Sequence, residues 1–473
     1  MSYDYDLIVI GAGPAGMAVS AMASEMGLKV ATVEKRALGG ECMNVGCIPS
    51  KALLRIAKMR HSAEKFKDYE LDESEKPGVR RPFEQIAEHL AFIDEKKTSG
   101  MFKKVSKLKL AEGAASFVDP HTVEVAGEKM SAKRIFISVG TRPAVPPIPG
   151  IRDVDILTND TIFKLEEVPT SMTIIGGGAI GCEMAQAFTR LGTKCSIIQM
   201  DPYLMPQGDP DAGKLLEEHF RKEGIEVYNS AKLSKVEKRN GNIIVEAEGG
   251  IKLESERLLV AAGRRYDFDA LKLENAGVRF DPRKGIEVDK HLRTTSKNIY
   301  APGDCNGHFL FSHAAMHQGM IALMNSMLPG PMKMDFRKFV VPWTVFTDPQ
   351  VSSVGLTEKQ IKERGIDYEV IESRYEDYGA AIAEGIPVGY IKVYAGKGLF
   401  SRGRIYGAVI VGEGSGEMIN EWGLAIQKKL RMTDIMMVQH SFPTMGFLSK
   451  RTGEMWMMNR MTPFIKKMVR LMF

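Results

Sequence analysis

An α/β fold is predicted, and three observations predict it. A short apolar run, Asp6 to Ile10, leads into Gly11-Ala12-Gly13-Pro14-Ala15-Gly16 and then into a helical pattern. The same arrangement returns at Met172 to Ile175 with Gly176-Gly177-Gly178-Ala179-Ile180-Gly181. Beyond about residue 340 strand-rich segments such as Pro342 to Thr347 and Val388 to Val393 mix with helices, and no glycine fingerprint follows. The reading is two Rossmann-like dinucleotide-binding domains plus a C-terminal α+β domain.

Each element of the repeated unit has a physical reason. The first glycine makes the tight turn, the second lets the backbone approach a pyrophosphate, and the third lets helix and strand pack closely. The helix start then offers unpaired N–H groups and a positive dipole end to phosphate. The first helix should run to about Met26, followed by a strand from Val30 to Val33 that ends at Glu34. In the second unit the helix should run to Arg190 and the strand from Cys195 to Ile198, ending at Gln199. Gly11 to Glu34 and Gly176 to Gln199 are both 23 residues apart, which places Glu34 and Gln199 at the ribose-contact position of each unit. Two nucleotides in one chain suggest an electron relay. Pro143 to Gly150 reads as a stiff linker before the second unit, and Leu258 to Gly263, followed by Arg264-Arg265, as its closing strand.

Length and composition bound the alternatives. At roughly 150 residues per domain, 473 residues suggest three domains. A content of 44% hydrophobic and 26% charged residues excludes a disordered chain. No stretch approaches the ~18 apolar residues that cross a bilayer, and the first strand begins too early for a signal peptide. The formal charge is +5; residues 450–473 hold six basic side chains and one acid, so the excess lies in the tail and the body is neutral. A neutral body argues against nucleic-acid binding. Five sparse cysteines do not read as a secreted disulfide scaffold, and a cytoplasmic protein is expected.

Cys42 and Cys47 stand in Gly39-Gly40-Glu41-Cys42-Met43-Asn44-Val45-Gly46-Cys47-Ile48-Pro49-Ser50-Lys51. Two cysteines this close at a helix start can close a small ring where the backbone turns, and a helix N-terminus lowers a thiol pKa. Such a dithiol can exchange two electrons with a bound flavin. The bland alternative is a pair of inert core cysteines.

With these motifs the chain resembles the class I pyridine nucleotide–disulfide oxidoreductases, the flavoprotein family of lipoamide dehydrogenase, glutathione reductase and mercuric reductase, over nearly its whole length. Ile135 to Pro143 resembles the family's Ala-Thr-Gly segment, Asn298-Ile299-Tyr300-Ala301-Pro302-Gly303-Asp304 its second FAD motif, and Val341 to Pro349 the opening of its dimerisation domain. The resemblance implies an FAD-binding (with central) domain at 1–147 and 268–338, an NAD(P)-binding domain at 148–267 and a dimerisation domain at 339–473. It implies a homodimer. FAD contacts are expected from Gly11, Gly13, Pro14, Ala15, Gly16, Glu34, Lys35, Gly40, Glu41, Cys42, Lys51, Ala115, Ser138, Gly140, Gly303, Asp304, Phe311 and Ser312. Nicotinamide-nucleotide contacts are expected from Gly176, Gly178, Ile180, Gln199 and Gly263. Cys47 would be the flavin-facing charge-transfer thiol, Cys42 the interchange thiol, and Lys51 a cation near flavin N5 paired with Glu183. A cation there stabilises the reduced ring, and the carboxylate offsets the cost of burying it.

Four features qualify the resemblance. Gln199 stands where an NADH enzyme typically carries an acid, and Met200 to Pro206 holds no cation for a 2′-phosphate, so NADH is expected with NADPH tolerated. The family's His-Pro-Thr-x-x-Glu pattern is broken: Phe442 takes the histidine position and Phe447 the glutamate position, while His440 lies two residues upstream. Either His440 is the acid–base group for the disulfide of the other subunit, without a carboxylate to fix its tautomer, or the site has no base and His440 is structural. His313 and His317 stand i, i+4, but their segment resembles the flavin-flanking one and no metal is expected; Cys305 reads as inert packing. Finally, Phe464, Ile465, Met468, Val469 and Met472 form an apolar stripe beside Lys466, Lys467 and Arg470, with Thr462 and Pro463 as cap and first turn. Residues 455–473 would pack on the dimer, lie against the inner face of an anionic membrane, or meet a protein partner.

The functional expectation is an FAD-dependent NAD(P)H oxidoreductase that passes electrons through Cys42–Cys47 to a small-molecule or protein-bound disulfide or another thiol-reactive acceptor. The alternatives are a membrane-surface NADH-dependent quinone or mercuric-type metal reductase, and a non-catalytic flavin-stabilised subunit of a larger complex.

Overall fold

The computed structural model describes residues 3–71 and 77–472. The chain forms two compact units, Met1–Met200 with Ala231–Lys338, and Asp201–Ser230 with Phe339–Phe473.

Both repeated motifs build parallel sheets in the first unit. Strand Tyr5–Ile10 lies between Val30–Glu34 and Glu128–Ile137, with Lys107–Leu110 outside Val30–Glu34 and Ile299–Tyr300 beside Glu128–Ile137. Ile8 faces Ala31 on one side and Ile135 on the other. The central residues of these strands are apolar because covered parallel strands bury both faces, and Ile8, Ile10, Ala31, Val33, Ile135 and Ile137 share one core. In the second motif Ser171–Ile175 lies between Lys194–Ile198 and Arg257–Val260, with Ile156–Leu157 beyond the latter. The strand expected over Leu258 to Gly263 stops at Val260; Arg264–Arg265 turns away to pair with Arg142–Pro143, at the start of the expected stiff linker.

The two helices run Pro14–Glu25 and Ala179–Leu191, within a residue of their expected ends. The third glycine of each motif explains their closeness to the first turn. A Cβ on Gly16 would strike the carbonyl oxygen of Gly11, and a Cβ on Gly181 that of Gly176. The echo is therefore a duplicated backbone contact as well as a duplicated sequence.

The second unit carries an antiparallel sheet in the order Trp343–Val345, Val351–Gly355, Ile405–Val411, Tyr390–Gly396 and Tyr368–Arg374. The strand expected from Val388 begins at Tyr390, where every residue to Gly396 is buried between two neighbours. Helices Ser415–Gln427 and Phe447–Met458 contribute Trp422 and Trp456 to its core. Helix Pro210–Lys222 belongs to this unit. Its cap, Asp209, accepts from the amides of Asp211 and Ala212. Asp209 also takes the Tyr394 hydroxyl at 2.6 Å, and Lys392 Nζ lies 3.2 Å from Asp209 Oδ1 and 2.5 Å from Asp211 Oδ2.

Lys392 and Asp209 are both buried, so removing the cation leaves a buried carboxylate without its counter-charge. Lys392→Met is expected to cost roughly 3–5 kcal/mol, read as a lowered urea midpoint, with Lys392→Arg retaining most of it.

Candidate active site

The two helix starts are built for anions. Gly13 caps the first helix and Gly178 the second; neither helix has a side-chain cap or an acid in its first turn. Their first N–H groups and positive dipole ends are therefore suited to an anionic ligand. Pro14 sits in the first turn, where its missing N–H costs nothing. A Cβ on Gly40 would lie 2.7 Å from the Gly13 Cα, so the cradle is closed on one side by bare backbone. The Ser138 hydroxyl is buried there without a hydrogen-bond partner, and the Ser138 carbonyl closes on Gly11. An orphaned buried hydroxyl beside an uncapped helix fits a bound dinucleotide.

The residues 23 positions on from each first glycine also act alike. Glu34 accepts the Ala12 amide at 2.8 Å and the Arg36 amide at 2.7 Å. Gln199 accepts the Gly177 amide at 3.0 Å. Each side chain ties the end of the second strand back to the glycine turn. One brings a negative charge and the other does not.

Cys42 lies in the short helix Gly40–Asn44, and Cys47 opens the helix Cys47–Glu64 after a turn at Val45 and Gly46. Both are present as free thiols joined by a hydrogen bond. That bond holds the Cys47 thiol down at about 6, with Ser312 and Lys51 also lowering it and burial opposing. The same bond and burial push the Cys42 thiol up. The first proton thus leaves the pair easily and the second is retained. The helix behind Cys47 has no acid in its first turn, which leaves its N-terminus positive toward the sulfur. Ser312 Oγ lies 3.2 Å from Cys47 Sγ. Lys51, one turn on from Cys47, donates to both oxygens of Glu183, at 3.0 and 2.9 Å. Glu183 is buried in the helix that the second glycine turn opens, so the pair links the two motifs.

A second charged cluster frames this region and was only half visible in the sequence. Glu41 pairs with Arg264, lies 3.5 Å from Arg142, and is within reach of Asn159. Arg264 also donates to the Thr141 hydroxyl at 2.9 Å. Burial pushes the Asp304 carboxyl up to about 6, while Arg264 pulls it down. Gln318 accepts from the Gly303 amide at 2.8 Å and from Asn306 at 2.7 Å, and so fixes the turn that presents Asp304. Arg264, Asn159 and Gln318 carry no motif; only their partners reveal them. Ala115 is buried, Gly140 is partly covered, and Lys35, Ile180, Gly263 and Phe311 are exposed. Cys305 is buried, its thiol 3.3 Å from the Ile137 carbonyl, as inert packing requires. No cluster of three or more metal-binding side chains occurs among the described residues.

In the second unit, one expectation about His440 fails. The histidine does have a carboxylate: Nε2 lies 2.8 Å from Glu421 Oε1, and Nδ1 lies 3.2 Å from the Val438 carbonyl. Glu421 comes from the helix Ser415–Gln427, 19 residues upstream, and not from the segment after Pro-Thr. At the positions where the family's dyad is expected, Phe442 and Phe447 pack edge to face with centroids 5.2 Å apart.

The split of the thiol pair gives a measurable profile. In the reduced protein, alkylation of Cys47 followed by peptide mapping should rise with pH through about 6 and then level. Cys42→Ala removes the largest lowering cause and should move that midpoint toward the ordinary thiol value of ~8.5.

The sequence and the fold have matching relatives. The family model described as pyridine nucleotide-disulphide oxidoreductase matches residues 5–319, and that of its dimerisation domain residues 341–450. The chain is 33% identical over 459 residues to a dihydrolipoyl dehydrogenase of Geobacillus stearothermophilus, covering 95% of each. It is 32% identical over 451 residues to a mercuric reductase of Staphylococcus aureus, covering 91% of this chain and 79% of that one. Among solved structures, the Cu(II) complex of the HOCl-induced flavoprotein disulfide reductase RclA from Escherichia coli superposes with a TM-score of 0.85 at 26% identity, covering 96% of this chain and 100% of RclA. The fold class and the resemblance drawn from the motifs are borne out. With matches that span nearly its whole length, the chain belongs to the class I pyridine nucleotide–disulfide oxidoreductases and is a flavin-dependent enzyme of that family.

Proposed function

We propose that this enzyme is a cytoplasmic homodimer that uses FAD and prefers NADH, and that Cys42 delivers its electrons to a disulfide or another thiol-reactive acceptor. The dimerisation domain at residues 341–450 supports the homodimer. Gln199, and the absence of any cation from Met200 to Pro206, support NADH. The further division into FAD, NAD(P) and interface domains at 1–147 with 268–338, 148–267 and 339–473 is part of this reading, as is a peripheral seat on a membrane through the basic tail within residues 455–473. No helix among the described residues is long and apolar enough to cross a membrane.

The observation that carries the proposal is the placement of Cys42 and Cys47 on either side of one turn, with Ser312 Oγ 3.2 Å from Cys47 Sγ and the Lys51–Glu183 pair one turn along the Cys47 helix. FAD, when bound, supplies a ring that takes a hydride from nicotinamide and returns two electrons to a disulfide. The chain's own residues do the rest. Gly11, Gly13 and the N–H groups after Pro14 would hold its pyrophosphate, with Ser138, Gly303 and Asp304 beside them. Glu183 holds the Lys51 ammonium in place as a counter-charge. Cys47 is the thiolate of the pair. Cys42 keeps its proton, so its attack on an acceptor disulfide requires a base. Attack forms a mixed disulfide and releases one acceptor thiol. Cys47 then displaces the second thiol and restores the Cys42–Cys47 disulfide. His440, oriented by Glu421, is the proposed base for the disulfide of the other subunit.

Turnover on disulfide and quinone acceptors tests this. Cys42→Ser should lose disulfide turnover almost completely while NADH still bleaches the flavin. Full quinone activity in Cys42→Ser, with no disulfide activity in the wild type to lose, would support the quinone reductase instead. His440→Ala should lower disulfide turnover by roughly 10²-fold, and Glu421→Gln by a smaller factor with a displaced pH–rate profile. Unchanged profiles in both variants would make His440 a structural residue.

A further inference from the structure

The tail is not one surface. Helix Phe447–Met458 is packed into the second unit through Leu448, Thr452 and Trp456, all buried. Just beyond it the chain is pinned. The Arg460 guanidinium lies 3.9 Å from the Trp456 ring centroid and pairs with Glu369, which also accepts the Trp456 indole N–H at 2.9 Å. After this mount comes helix Pro463–Met472, and every residue of it whose side chain is described is exposed. The side chain of Ile465, and Phe473, lie outside the described residues.

The exposure is not scattered. At 3.6 residues per turn, Phe464, Met468, Val469, Leu471 and Met472 fall within roughly 160° of arc, and Lys466, Lys467 and Arg470 fill the rest. Phe464 is 72% exposed, Leu471 74% and Met472 71%, values a solvated helix has no use for on a single face. The helix contains no acid, and its cations flank both edges of the apolar arc. A second copy of this helix laid face to face would therefore bring like charges together at each edge. A sheet of anionic headgroups over an acyl boundary meets both halves at once. The dimerisation family model ends at residue 450, so this helix is also not part of the family's matched interface.

We infer that residues 463–472 form a mount for an anionic phospholipid surface, with Phe464, Met468, Val469, Leu471 and Met472 entering the acyl boundary and Lys466, Lys467 and Arg470 taking the headgroup phosphates. Residues 455–460 fix the helix to the enzyme and stay out of the lipid. This rests on the peripheral seat proposed above and narrows it to one helix and one lipid chemistry. One apolar face plus one basic patch is the pair of signals that stable yet reversible attachment requires.

Full-length, FAD-loaded enzyme should co-sediment with mixed phosphatidylglycerol–phosphatidylcholine vesicles and hardly at all with phosphatidylcholine alone, and added salt should release it. Lys466→Gln, Lys467→Gln and Arg470→Gln together should lower that partition roughly a hundredfold, and Phe464→Ser with Leu471→Ser should also lower it, while disulfide turnover in solution stays unchanged. Equal binding by the charge variant, or by a chain ending at residue 462, would overturn the inference and leave a peripheral seat elsewhere on the protein. A wild type that binds neither vesicle would remove the seat itself. If the shortened chain became monomeric, the helix would be a subunit contact and the lipid assignment would be wrong.

Discussion

One hydrogen bond, between Cys42 and Cys47, sets the demands that the remainder of the site answers. It holds one sulfur as the easily ionised member and leaves the other protonated. Only the first of these needs the pairing, since burial by itself raises both thiols and would keep both protonated. The turn at Val45 and Gly46 brings the sulfurs together, and the uncapped start of the helix Cys47–Glu64 favours charge on the nearer one. Lys51, on the same helix, adds to this from one turn away. Glu183 in turn keeps Lys51 from being a lone cation in a partly buried place.

The duplicated glycine turn supplies the second constraint. In both copies a carbonyl oxygen sits where the third glycine would otherwise carry a Cβ, so helix and strand can approach only with glycine there. In both copies an oxygen from the end of the second strand accepts an amide in the turn. A carboxylate does this in the first motif and a carboxamide in the second. The geometry is kept while the charge near the ribose position differs, which is the local reason to treat the two nucleotides as different.

The His440–Glu421 pair shows how a chemical arrangement can survive the loss of its motif. With Phe442 and Phe447 at the expected dyad positions, the sequence leaves open whether His440 serves as the acid–base group without a carboxylate or the site has no base, and those two rings indeed pack on each other. The carboxylate is nevertheless present, on another helix. A motif search follows short spacings along the chain, and Glu421 lies outside any such spacing. Arg264 with Glu41, and Gln318 with the Gly303 turn, escape in the same way.

By itself the sequence determined the elements whose cause is local. The apolar strands, the glycine turns, the helix starts, the cysteine pair and the amphipathic end all follow from periodicity and from what glycine, proline and thiols can do within a few residues. The fold class and the pairing of Lys51 with Glu183 were legible from those motifs together with the family they resemble. Only the tertiary structure decided the long-range contacts: Glu421 on His440, Arg264 on Glu41, Lys392 on Asp209, and Arg460 on Trp456 and Glu369. A buried charge accepts whatever counter-charge the fold brings within about 3 Å, and distance along the chain does not enter that energy.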